Sequence, residues 1–442
     1  MPDRRLIRRT KSVCPVCLKG VDASIVERDG KVYMDKACPA HGDSSLLISS
    51  DAAYYRSLSD YYFPLMAKSL TQKDYIAHLT NRCDLDCPIC LARANQRDVP
   101  DYPLADLKEF LKGKTGYKID LMGAEPAMRE DLPQIIEAVK RSGNISALHT
   151  NGVKIADRRY LAELKKAGLD EVHLQFDGFD DAAYKLIRGK ALGETKKKAL
   201  GNLEELGIAT DLVVTIVRGV NEKEAKTAFD YAVGHTFVKE VFLLGCRFLG
   251  GAKELPLENC MMPDELIDVL ESATDGRISR GNVLKFQKLY FALLAAFSVR
   301  KCFYINHYLI SRKNDTYLTL DEIYNLDSIE RNLERFKEMK LSGNRLAVPY
   351  LVASLARALF DRRTFRHMGS LLSMALPFLR GFNLSRLSGS NILIGYISAC
   401  DAYSFDYEIA KNCGKGAISC ELGIQDTGAI DNILRDKIYS KQ

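Results

Sequence analysis

Three cysteines crowd one short loop of this sequence. The stretch reads NRCDLDCPIC, and its thiols belong to Cys83, Cys87 and Cys90. Four thiolates normally hold a four-iron cluster, so three leave one iron open to a substrate or cofactor, as a catalytic zinc keeps one open position. The alternative is a zinc site that His78 or Asp84 closes. The spacing disfavours it, because zinc sites usually repeat cysteines separated by two residues.

A second set of metal-binding residue types lies near the N-terminus. Cys14 and Cys17 are separated by two residues, and Cys38 and His41 repeat that spacing after a further 20 residues. Paired knuckles of this kind hold one ion tetrahedrally, and the RDGK segment between them predicts a hairpin turn. We expect a small metal-binding ribbon with zinc or a single rubredoxin-like iron. His41 is the weakest of the four ligands, since a histidine after Pro-Ala could also cap a turn.

The elements that position the three-cysteine loop are inferred from alternating patterns between residues 73 and 250. Short β-rich runs alternate with segments that are apolar at every third or fourth position, which is typical of strands and amphipathic helices. The predicted strands are Tyr75–Leu79, Lys118–Met122, Ser146–His149, Val172–Phe176, Leu212–Val217 and Glu240–Leu244. Six strand–helix units in succession predict an α/β fold with parallel strands in a partial (β/α)6 TIM-like barrel. A doubly wound sheet is the alternative.

The residues that interrupt these patterns follow the strands. The cysteine loop follows the first strand, GAEP the second and TNG the third; QFDG ends the fourth, and RGVN and GCRFLGG follow the last two. These segments therefore share the carboxyl ends of the strands, where barrels of this kind gather ligands and catalytic groups. Any one of them alone would be an ordinary turn. Together they predict a site on one rim.

On this loop the chain resembles the radical S-adenosylmethionine (SAM) superfamily, because CDLDCPIC matches its signature. The resemblance implies that Cys83, Cys87 and Cys90 hold a [4Fe–4S] cluster and that SAM binds its open iron. It also implies reductive cleavage of SAM to a 5′-deoxyadenosyl radical, with the protein supplying position and shielding.

The GAEP segment is similar to the Gly-Gly-Glu-Pro motif of that superfamily, with Ala124 in place of the second glycine. The resemblance implies that Glu125 and the backbone near Gly123 meet the methionine ammonium. The SAM-binding residues it implies are Gly123, Ala124, Glu125, Pro126, Asn151, Gln175 and Asp177. For Asp177 the alternative is a turn at the strand end before Gly178.

A narrower resemblance extends over most of the chain, through VYMDKACPAHG, LQFDG, IVRGVN and DAYSFDYEIAKNC. These segments resemble a subfamily that includes archaeal tetraether lipid synthase and a pterin-methylating member. The subfamily implies an N-terminal mononuclear metal and an auxiliary iron–sulfur cluster. The auxiliary ligands it implies here are Cys302, Cys400, Cys413 and Cys420, and ordinary buried thiols are the alternative.

The C-terminal region is helical and basic in pattern. Residues 345–386 carry seven arginines and one acid, Asp361, among apolar runs. Such segments suit a helix lying on an anionic membrane or a groove that takes lipid from one. The alternative is a set of core helices with a solvated arginine face.

Length and composition limit the possible classes of protein. The 442 residues, 47% of them apolar, predict two or three domains. We place them at 1–45 (metal-binding ribbon), 46–72 (linker helix), 73–250 (partial barrel) and 251–442 (mostly helical domain with the auxiliary cluster). The net charge of +6 is too diffuse to indicate a nucleic-acid partner. The basic N-terminus lacks the apolar run of a secretory signal, so we expect a cytoplasmic protein, with peripheral contact to the inner face of the membrane as a further expectation.

These patterns lead to three functional hypotheses. The first is a radical SAM enzyme that abstracts hydrogen from an unactivated carbon of a lipid chain and couples carbons, with a flavodoxin or ferredoxin as electron donor. The second is radical methylation or methylene transfer to a pterin or other heterocycle. The third is a non-catalytic iron–sulfur electron carrier or sensor. A long apolar tunnel would favour lipid, and a compact polar cavity would favour a heterocycle. The patterns indicate no oligomeric state.

Overall fold

The N-terminal part of the protein is a small antiparallel sheet followed by a helix. The structure is a computed structural model that describes residues 4–66, 74–299, 301–314, 316–379, 390–398 and 400–439. The sheet has the strand order β1-β2-β3-β4. Its strands and the following helix are β1 (Arg5–Val13), β2 (Gly20–Arg28), β3 (Lys31–Cys38), β4 (Gly42–Ser49) and α1 (Ala52–Met66). Asp29 and Gly30 both have positive φ, as the predicted tight hairpin between β2 and β3 requires.

The central part is a run of six parallel strands in chain order, which confirms the predicted barrel-type fold. The strands are β5 (Asp74–His78), β6 (Lys118–Met122), β7 (Ile145–Thr150), β8 (Glu171–Gln175), β9 (Ala209–Ile216) and β10 (Val238–Gly245). The helices between them are α2 (Leu104–Leu111), α3 (Leu132–Arg141), α4 (Arg158–Ala167), α5 (Asp181–Arg188), α6 (Gly193–Glu205) and α7 (Glu224–Gly234). Each loop at the carboxyl end of a strand therefore opens on the same rim.

The C-terminal part is mostly helical, as predicted, but it also contributes strands to the barrel sheet. Its helices are α8 (Glu265–Ala273), α9 (Arg280–Ala296), α10 (Leu320–Ile323), α11 (Leu326–Leu341), α12 (Ala347–Ala358), α13 (Arg362–Arg366), α14 (Met368–Leu379), α15 (Tyr407–Ala410) and α16 (Gly428–Tyr439). Its strands are β11 (Asn306–Lys313), β12 (Thr316–Thr319), β13 (Asn391–Ser398), β14 (Lys415–Ser419) and β15 (Gly423–Gln425). The sequence patterns did not predict these five strands.

The added strands lie on both edges of the six central ones. Over the described residues the sheet runs β12-β11-β13-β10-β9-β8-β7-β6-β5-β14-β15. β13 pairs parallel with β10, and β14 pairs parallel with β5. The outer strands β11, β12 and β15 pair antiparallel with their neighbours. The C-terminal region is thus built onto the barrel, while the domain boundaries given above remain predictions.

Helix α1 is part of the main core. The predicted linker helix 46–72 corresponds to α1, and residues 67–72 lie outside the described part of the chain. Tyr61 and Tyr62 are fully buried, and the Tyr62 ring meets that of Phe291 on α9 edge-on with centroids 4.9 Å apart. The ribbon is also fixed, since Asp406 accepts hydrogen bonds from Arg8 and from Thr10. Among the described residues, no helix combines the length and apolar character that crossing a bilayer requires.

Candidate functional site

The three-cysteine loop between β5 and α2 borders a cavity of about 270 Å³ at the carboxyl ends of the strands. Cys83, Cys87 and Cys90 all line this cavity. The amide of Leu85 donates to the sulfur of Cys83, and that of Ala94 donates to the sulfur of Cys90, each at 3.4 Å. Amide donors stabilise a sulfur that carries negative charge, as metal-bound thiolates do. The donor set therefore fits an iron–sulfur cluster.

The spacing of these sulfurs disfavours a single bound ion. Among the described residues, the sets of cysteine, histidine and carboxylate atoms that lie within 4.8 Å of one another do not include the three cysteines. The two residues considered for closing a zinc site have other partners. Asp84 accepts a hydrogen bond from the side-chain amide of Asn151 at 2.7 Å, and Nε2 of His78 lies 3.0 Å from a carboxylate oxygen of Asp431. A cluster, which spreads its ligands more widely than one zinc ion does, is the better fit.

The GAEP segment follows β6 and lies against the residues that precede the cysteine loop. Gly123 has φ +141°, and a Cβ at this position would lie 2.4 Å from the carbonyl oxygen of Thr80. The amide of Ala124 donates to that same oxygen at 2.9 Å. Gly123 and Ala124 line the cavity, and Pro126 begins a short 3₁₀ turn, Pro126–Met128. Glycine is therefore required at position 123.

The carboxylate of Glu125 is turned into the protein and does not line the cavity. Its carboxylate is fully buried and accepts hydrogen bonds from the amides of Asn151 (2.6 Å) and Ala127 (3.0 Å) and from the hydroxyl of Thr150 (2.9 Å). Burial raises the pKa of Glu125 to about 7, although these three donors oppose the shift. The side chain holds the end of β7 against GAEP instead of reaching the cavity. The contact of this carboxylate with the methionine ammonium remains a prediction.

Asn151 and Gln175 lie on the cavity wall, where the sequence placed them. The Asn151 amide nitrogen lies 3.7 Å from the sulfur of Cys83. Sequence reasoning missed Lys196, whose ammonium donates to the backbone oxygen of Gln175 at 2.6 Å and to its side-chain oxygen at 2.8 Å. Lys196 also donates to the backbone oxygen of Asn151. It therefore ties the ends of β7 and β8 together from below the wall.

Asp177 is fully buried and serves as a partner for other site residues. Its carboxylate accepts from Arg188 Nε at 2.8 Å, from the Gln175 amide at 2.5 Å and from the Thr215 backbone amide at 2.9 Å. It is not among the residues lining the cavity, and its contact with SAM remains a prediction. Arg188, which the sequence patterns did not single out, does line the cavity. Its charge opposes the rise in pKa that burial causes at Cys87.

Below this wall the strand register brings together a ring of titratable side chains that the sequence patterns did not predict. His149 pairs with His173, His173 with Asp211, and Asp211 with Glu240 across β7 to β10. His78 occupies the matching level on β5, opposite Met122. Side chains in register point to the same face of a sheet. His78, His149 and His173 line the cavity from this level.

The ribbon brings its four predicted ligands together. The sulfur atoms of Cys17 and Cys38 lie 3.9 Å apart, and Nδ1 of His41 lies 3.5 Å from the sulfur of Cys38 and 3.7 Å from that of Cys14. A tetrahedral ion with the usual bond lengths separates its ligands by roughly 3.5–3.8 Å. Burial alone would raise the pKa of Cys14, but amide hydrogen bonds, including one from Val16, lower it to about 7. The four residues fit zinc or a single iron.

Comparison with known families supports both parts of this description. The family model for the radical SAM superfamily matches residues 78–232, which contain the cysteine loop and the first strands of the rim. Residues 78–232 therefore form a radical SAM domain. The model of the HMPTM N-terminal zinc ribbon domain matches residues 6–50. The resemblance inferred from the cysteine loop is therefore confirmed, and the relatives named below are enzymes.

Two named relatives show how far the likeness extends. The chain is 33% identical to 7,8-dihydro-6-hydroxymethylpterin dimethyltransferase of Methanocaldococcus jannaschii over 302 residues, which covers 62% of this chain and 60% of the relative. It is 29% identical to a probable GTP 3′,8-cyclase of Methanothermobacter thermautotrophicus over 159 residues, or 35% of this chain and 51% of the relative. The chain thus spans about half to three fifths of the length of these relatives.

Solved structures are similar only at the level of fold. SuiB of Streptococcus suis, crystallised with its precursor peptide SuiA, has a TM-score of 0.41 and 15% identity, covering 50% of this chain and 49% of that one. Methylornithine synthase has a TM-score of 0.37 and 15% identity, covering 51% of this chain and 67% of that one. Likeness of this size does not extend to substrate or activity.

Outside the radical SAM domain, three of the four predicted auxiliary cysteines lie together. Burial raises the pKa of Cys302 to about 12, and the charge of Cys413 adds to the shift. Burial and the charges of Cys302 and Cys413 likewise raise the pKa of Cys400. The amide of Tyr304 donates to the sulfur of Cys302 at 3.4 Å. These three thiols form a group in which Cys302 and Cys413 are buried and Cys400 is half-buried.

Cys420, the fourth predicted auxiliary ligand, is elsewhere. It is exposed, lines the cavity beside the three-cysteine loop, and its sulfur lies 3.6 Å from the carbonyl oxygen of Asp101. Its role as an auxiliary ligand remains a prediction. The remaining two cysteines, Cys246 and Cys260, are close to each other. Burial raises the pKa of Cys246, and the charge of Cys260 adds to this rise.

Proposed function

We propose that this protein cleaves SAM reductively and uses the resulting radical for methyl or methylene transfer to a nitrogen heterocycle of the pterin class. The observation that carries the proposal is the cavity, which is compact at about 270 Å³ and has His78, His149 and His173 at its base. A lipid chain would cover Nδ1 of His78 and Nδ1 of His149, the nitrogens that do not contact Asp431 and Asp120, without giving either one a hydrogen-bond partner, and this disfavours a lipid here. The name of the Methanocaldococcus jannaschii relative agrees with a pterin substrate.

The cofactors of the proposed reaction fit residues already described. Cys83, Cys87 and Cys90 hold a [4Fe–4S] cluster, and the wall formed by Gly123, Ala124, Asn151 and Gln175 holds SAM. When bound, the cluster supplies the electron that converts SAM to methionine and a 5′-deoxyadenosyl radical. A flavodoxin or ferredoxin is the proposed electron donor.

The chain's own side chains orient the reactants and exclude water. Leu85, Val99, Val213 and Leu249 give the cavity apolar walls beside the cysteines. Such walls keep a reactive carbon radical away from solvent. Arg188, held by Asp177, presents a fixed cation at the cavity surface next to Cys87, where a carboxylate such as that of methionine binds favourably.

Two further metal centres belong to the proposal. The ribbon holds one zinc or iron ion on Cys14, Cys17, Cys38 and His41. An auxiliary iron–sulfur cluster is held by Cys302, Cys400 and Cys413, which lie outside the cavity lining, and this separation suits electron transfer or storage of an unpaired electron.

Anaerobic reconstitution tests the proposal. Wild-type protein with SAM, dithionite and 7,8-dihydro-6-hydroxymethylpterin should form 5′-deoxyadenosine and a methylated pterin, both identified by mass spectrometry. The triple variant Cys83→Ala, Cys87→Ala, Cys90→Ala should lose about four irons and all 5′-deoxyadenosine. Cys260→Ala, which removes a buried thiol outside the proposed clusters, is the matched control and should keep both. Iron-loaded wild type that leaves SAM intact would instead indicate an electron carrier or sensor.

A lipid substrate, with carbon–carbon coupling between chains, is a second candidate because of one surface feature. Between residues 341 and 372, six large apolar side chains are more than half exposed: Leu341, Leu346, Val352, Phe360, Phe365 and Leu372. Exposed arginines accompany them at positions 345, 357, 362, 363 and 366. Arg380 and Arg386, also counted in the basic segment, lie outside the described residues. Apolar side chains among arginines favour contact with an anionic bilayer.

Vesicle binding tests this second candidate. Wild type should co-sediment with vesicles containing phosphatidylglycerol and not with vesicles of phosphatidylcholine alone, and the double variant Phe360→Ser, Phe365→Ser should bind several-fold more weakly. Ile424→Ser, which changes an equally exposed apolar side chain on β15, is the control. Equal binding by all three proteins, or none by wild type, removes the support for a lipid substrate.

A further inference from the structure

Two histidines at the base of the cavity have the same arrangement. Nε2 of His149 lies 3.1 Å from a carboxylate oxygen of Asp120, and Nε2 of His78 lies 3.0 Å from one of Asp431. Each carboxylate also accepts a hydrogen bond from a cationic side chain: Lys415 donates to Asp120, and Arg435 donates to Asp431. Both are therefore held ionised and accept the Nε2–H of their histidine.

This arrangement fixes what each imidazole offers to the cavity. A neutral histidine that donates from Nε2 has Nδ1 as an acceptor. Within the part of the chain that the structure describes, Nδ1 of His78 and Nδ1 of His149 have no hydrogen-bond partner. Burial lowers the pKa of both histidines, which keeps them neutral and keeps these nitrogens as acceptors. The cavity base thus presents two acceptors from two strands.

His173 supports this pair without adding a third acceptor. Its Nε2 lies 3.2 Å from Glu171 and its Nδ1 lies 3.3 Å from Asp211, so both nitrogens are engaged. Burial together with neighbouring charge raises the pKa of Asp211, whose proton can then serve Nδ1 of His173. The His173 ring is stacked on that of His149 with centroids 4.2 Å apart and an angle of 7°. The stack fixes the orientation of the His149 ring.

A metal ion is a weaker explanation of the same group. Donor atoms of Asp120, His149 and His173 do lie within 4.8 Å of one another. However, two parallel stacked rings direct their nitrogen lone pairs side by side and not toward one point. Lys415 on Asp120 and Lys118 on Glu171 already place two cations among the carboxylates. The local charge is therefore balanced by the protein itself.

We propose that His78 and His149 form the substrate-binding base of the cavity and accept hydrogen bonds from N–H groups on opposite edges of a planar nitrogen heterocycle. The two residues lie two strands apart, or about 10 Å along the sheet. A bicyclic ring spans that distance once a hydrogen bond of about 2.9 Å at each end is included. Met122 lies between them in the register and offers its thioether to the ring face. The assignment rests on the proposed function and names the residues that select its substrate.

Equilibrium binding of 7,8-dihydro-6-hydroxymethylpterin, followed by its own fluorescence on the reconstituted, SAM-loaded protein, tests the assignment. His149→Phe retains an aromatic ring over His173 but removes the acceptor, and His78→Phe does the same at an independent position. Each should weaken pterin binding by about 10- to 100-fold. His149→Asn, which returns a polar atom near Nδ1, should recover part of the affinity. His235→Phe is the matched control, because His235 stacks on Tyr231 outside the cavity.

The outcomes separate this inference from the function on which it rests. SAM affinity and 5′-deoxyadenosine formation without pterin should be the same in wild type and variants, which shows that the SAM wall is intact. If wild type binds pterin and both phenylalanine variants bind it equally well, the base assignment is wrong while the proposed function stands. If wild type cleaves SAM but binds no pterin, both fail. If a zinc or manganese ion binds wild type at this base and is lost in His149→Phe, the group is a metal site and the assignment is overturned.

Discussion

Replacing Gly123 with alanine should disrupt the SAM wall while leaving the rest of the chain folded. The residue has φ +141°, and a Cβ there would lie 2.4 Å from the Thr80 carbonyl oxygen and 3.0 Å from the Thr80 nitrogen. A strained backbone of this kind costs roughly 1–3 kcal/mol for a residue other than glycine, and an enforced overlap adds roughly 1–3 kcal/mol. Gly123→Ala should therefore lower the free energy of unfolding by roughly 2–6 kcal/mol.

Two other glycines separate the contribution of backbone strain from that of steric overlap. Gly219 has φ +76° with nothing within 4 Å of a Cβ, so Gly219→Ala carries the backbone strain alone and should cost about 1–2 kcal/mol. Gly201 lies within α6 with open space around it, so Gly201→Ala should stabilise by roughly 0.5–1 kcal/mol. Urea unfolding followed by circular dichroism, together with SAM affinity, gives the comparison.

The three glycine variants should differ in a fixed order of stability as well as in the size of each change. Gly123→Ala should be the least stable of the three variants and the only one with impaired SAM binding, since the overlap pushes Thr80 away from the start of the cysteine loop. A Gly123→Ala protein that unfolds like Gly219→Ala and binds SAM like wild type would refute the inferred contact between GAEP and the loop.

Three further predictions concern residues away from Gly123. Burial lowers the pKa of Lys196 from its ordinary 10.5 to about 7. Between pH 7 and pH 10.5 the lysine is therefore protonated in the unfolded chain but neutral in the folded protein. Because the unfolded state binds more protons in this range, the free energy of unfolding rises with pH. Wild type should gain on the order of 4 kcal/mol in free energy of unfolding from about pH 7 to pH 10 relative to Lys196→Met, as measured by urea titration. Cys14→Ser should remove about one metal ion per chain by elemental analysis and leave the cluster iron unchanged; loss of cluster iron as well would contradict a separate ribbon site. Asp406→Ala leaves the half-buried Arg8 without its carboxylate and should lower the free energy of unfolding by roughly 3–5 kcal/mol, whereas a change below about 1 kcal/mol would show that the ribbon does not depend on this ion pair.

The barrel and both metal-binding loops were predictable because their signals are local. Short β-rich runs between helical patterns mark the six central strands. The spacing of Cys14, Cys17, Cys38 and His41 marks the ribbon. The strands β13 and β14 were missed for a different reason. Each pairs with a barrel strand far away in sequence, and no local pattern states which edge a strand joins.

The sequence did not show which of the site side chains face inward. Glu125 and Asp177 stand in the expected segments, but both turn into the protein and hold neighbours, and only the packed structure shows this orientation. The ring at the cavity base did leave a signal. His78, His149, His173 and Asp211 place polar side chains at one level of four strands of a parallel sheet, where buried strands are normally continuous apolar runs. Polar residues repeated at that position indicate a lined cavity.

The placement of β14 beside β5 has a consequence for how the chain folds during synthesis. Lys415 pairs with Asp74, so this edge of the sheet is completed only after residues 415–419 have left the ribosome. Until then the six central strands present open edges, which expose unpaired backbone groups to association with other chains. The late segment also contributes Cys413 and Asp406, to which the ribbon attaches. Emergence of residues 406–419 is therefore the step that couples pairing of β14 with β5, docking of the ribbon through Asp406 and addition of Cys413 to the group of three thiols.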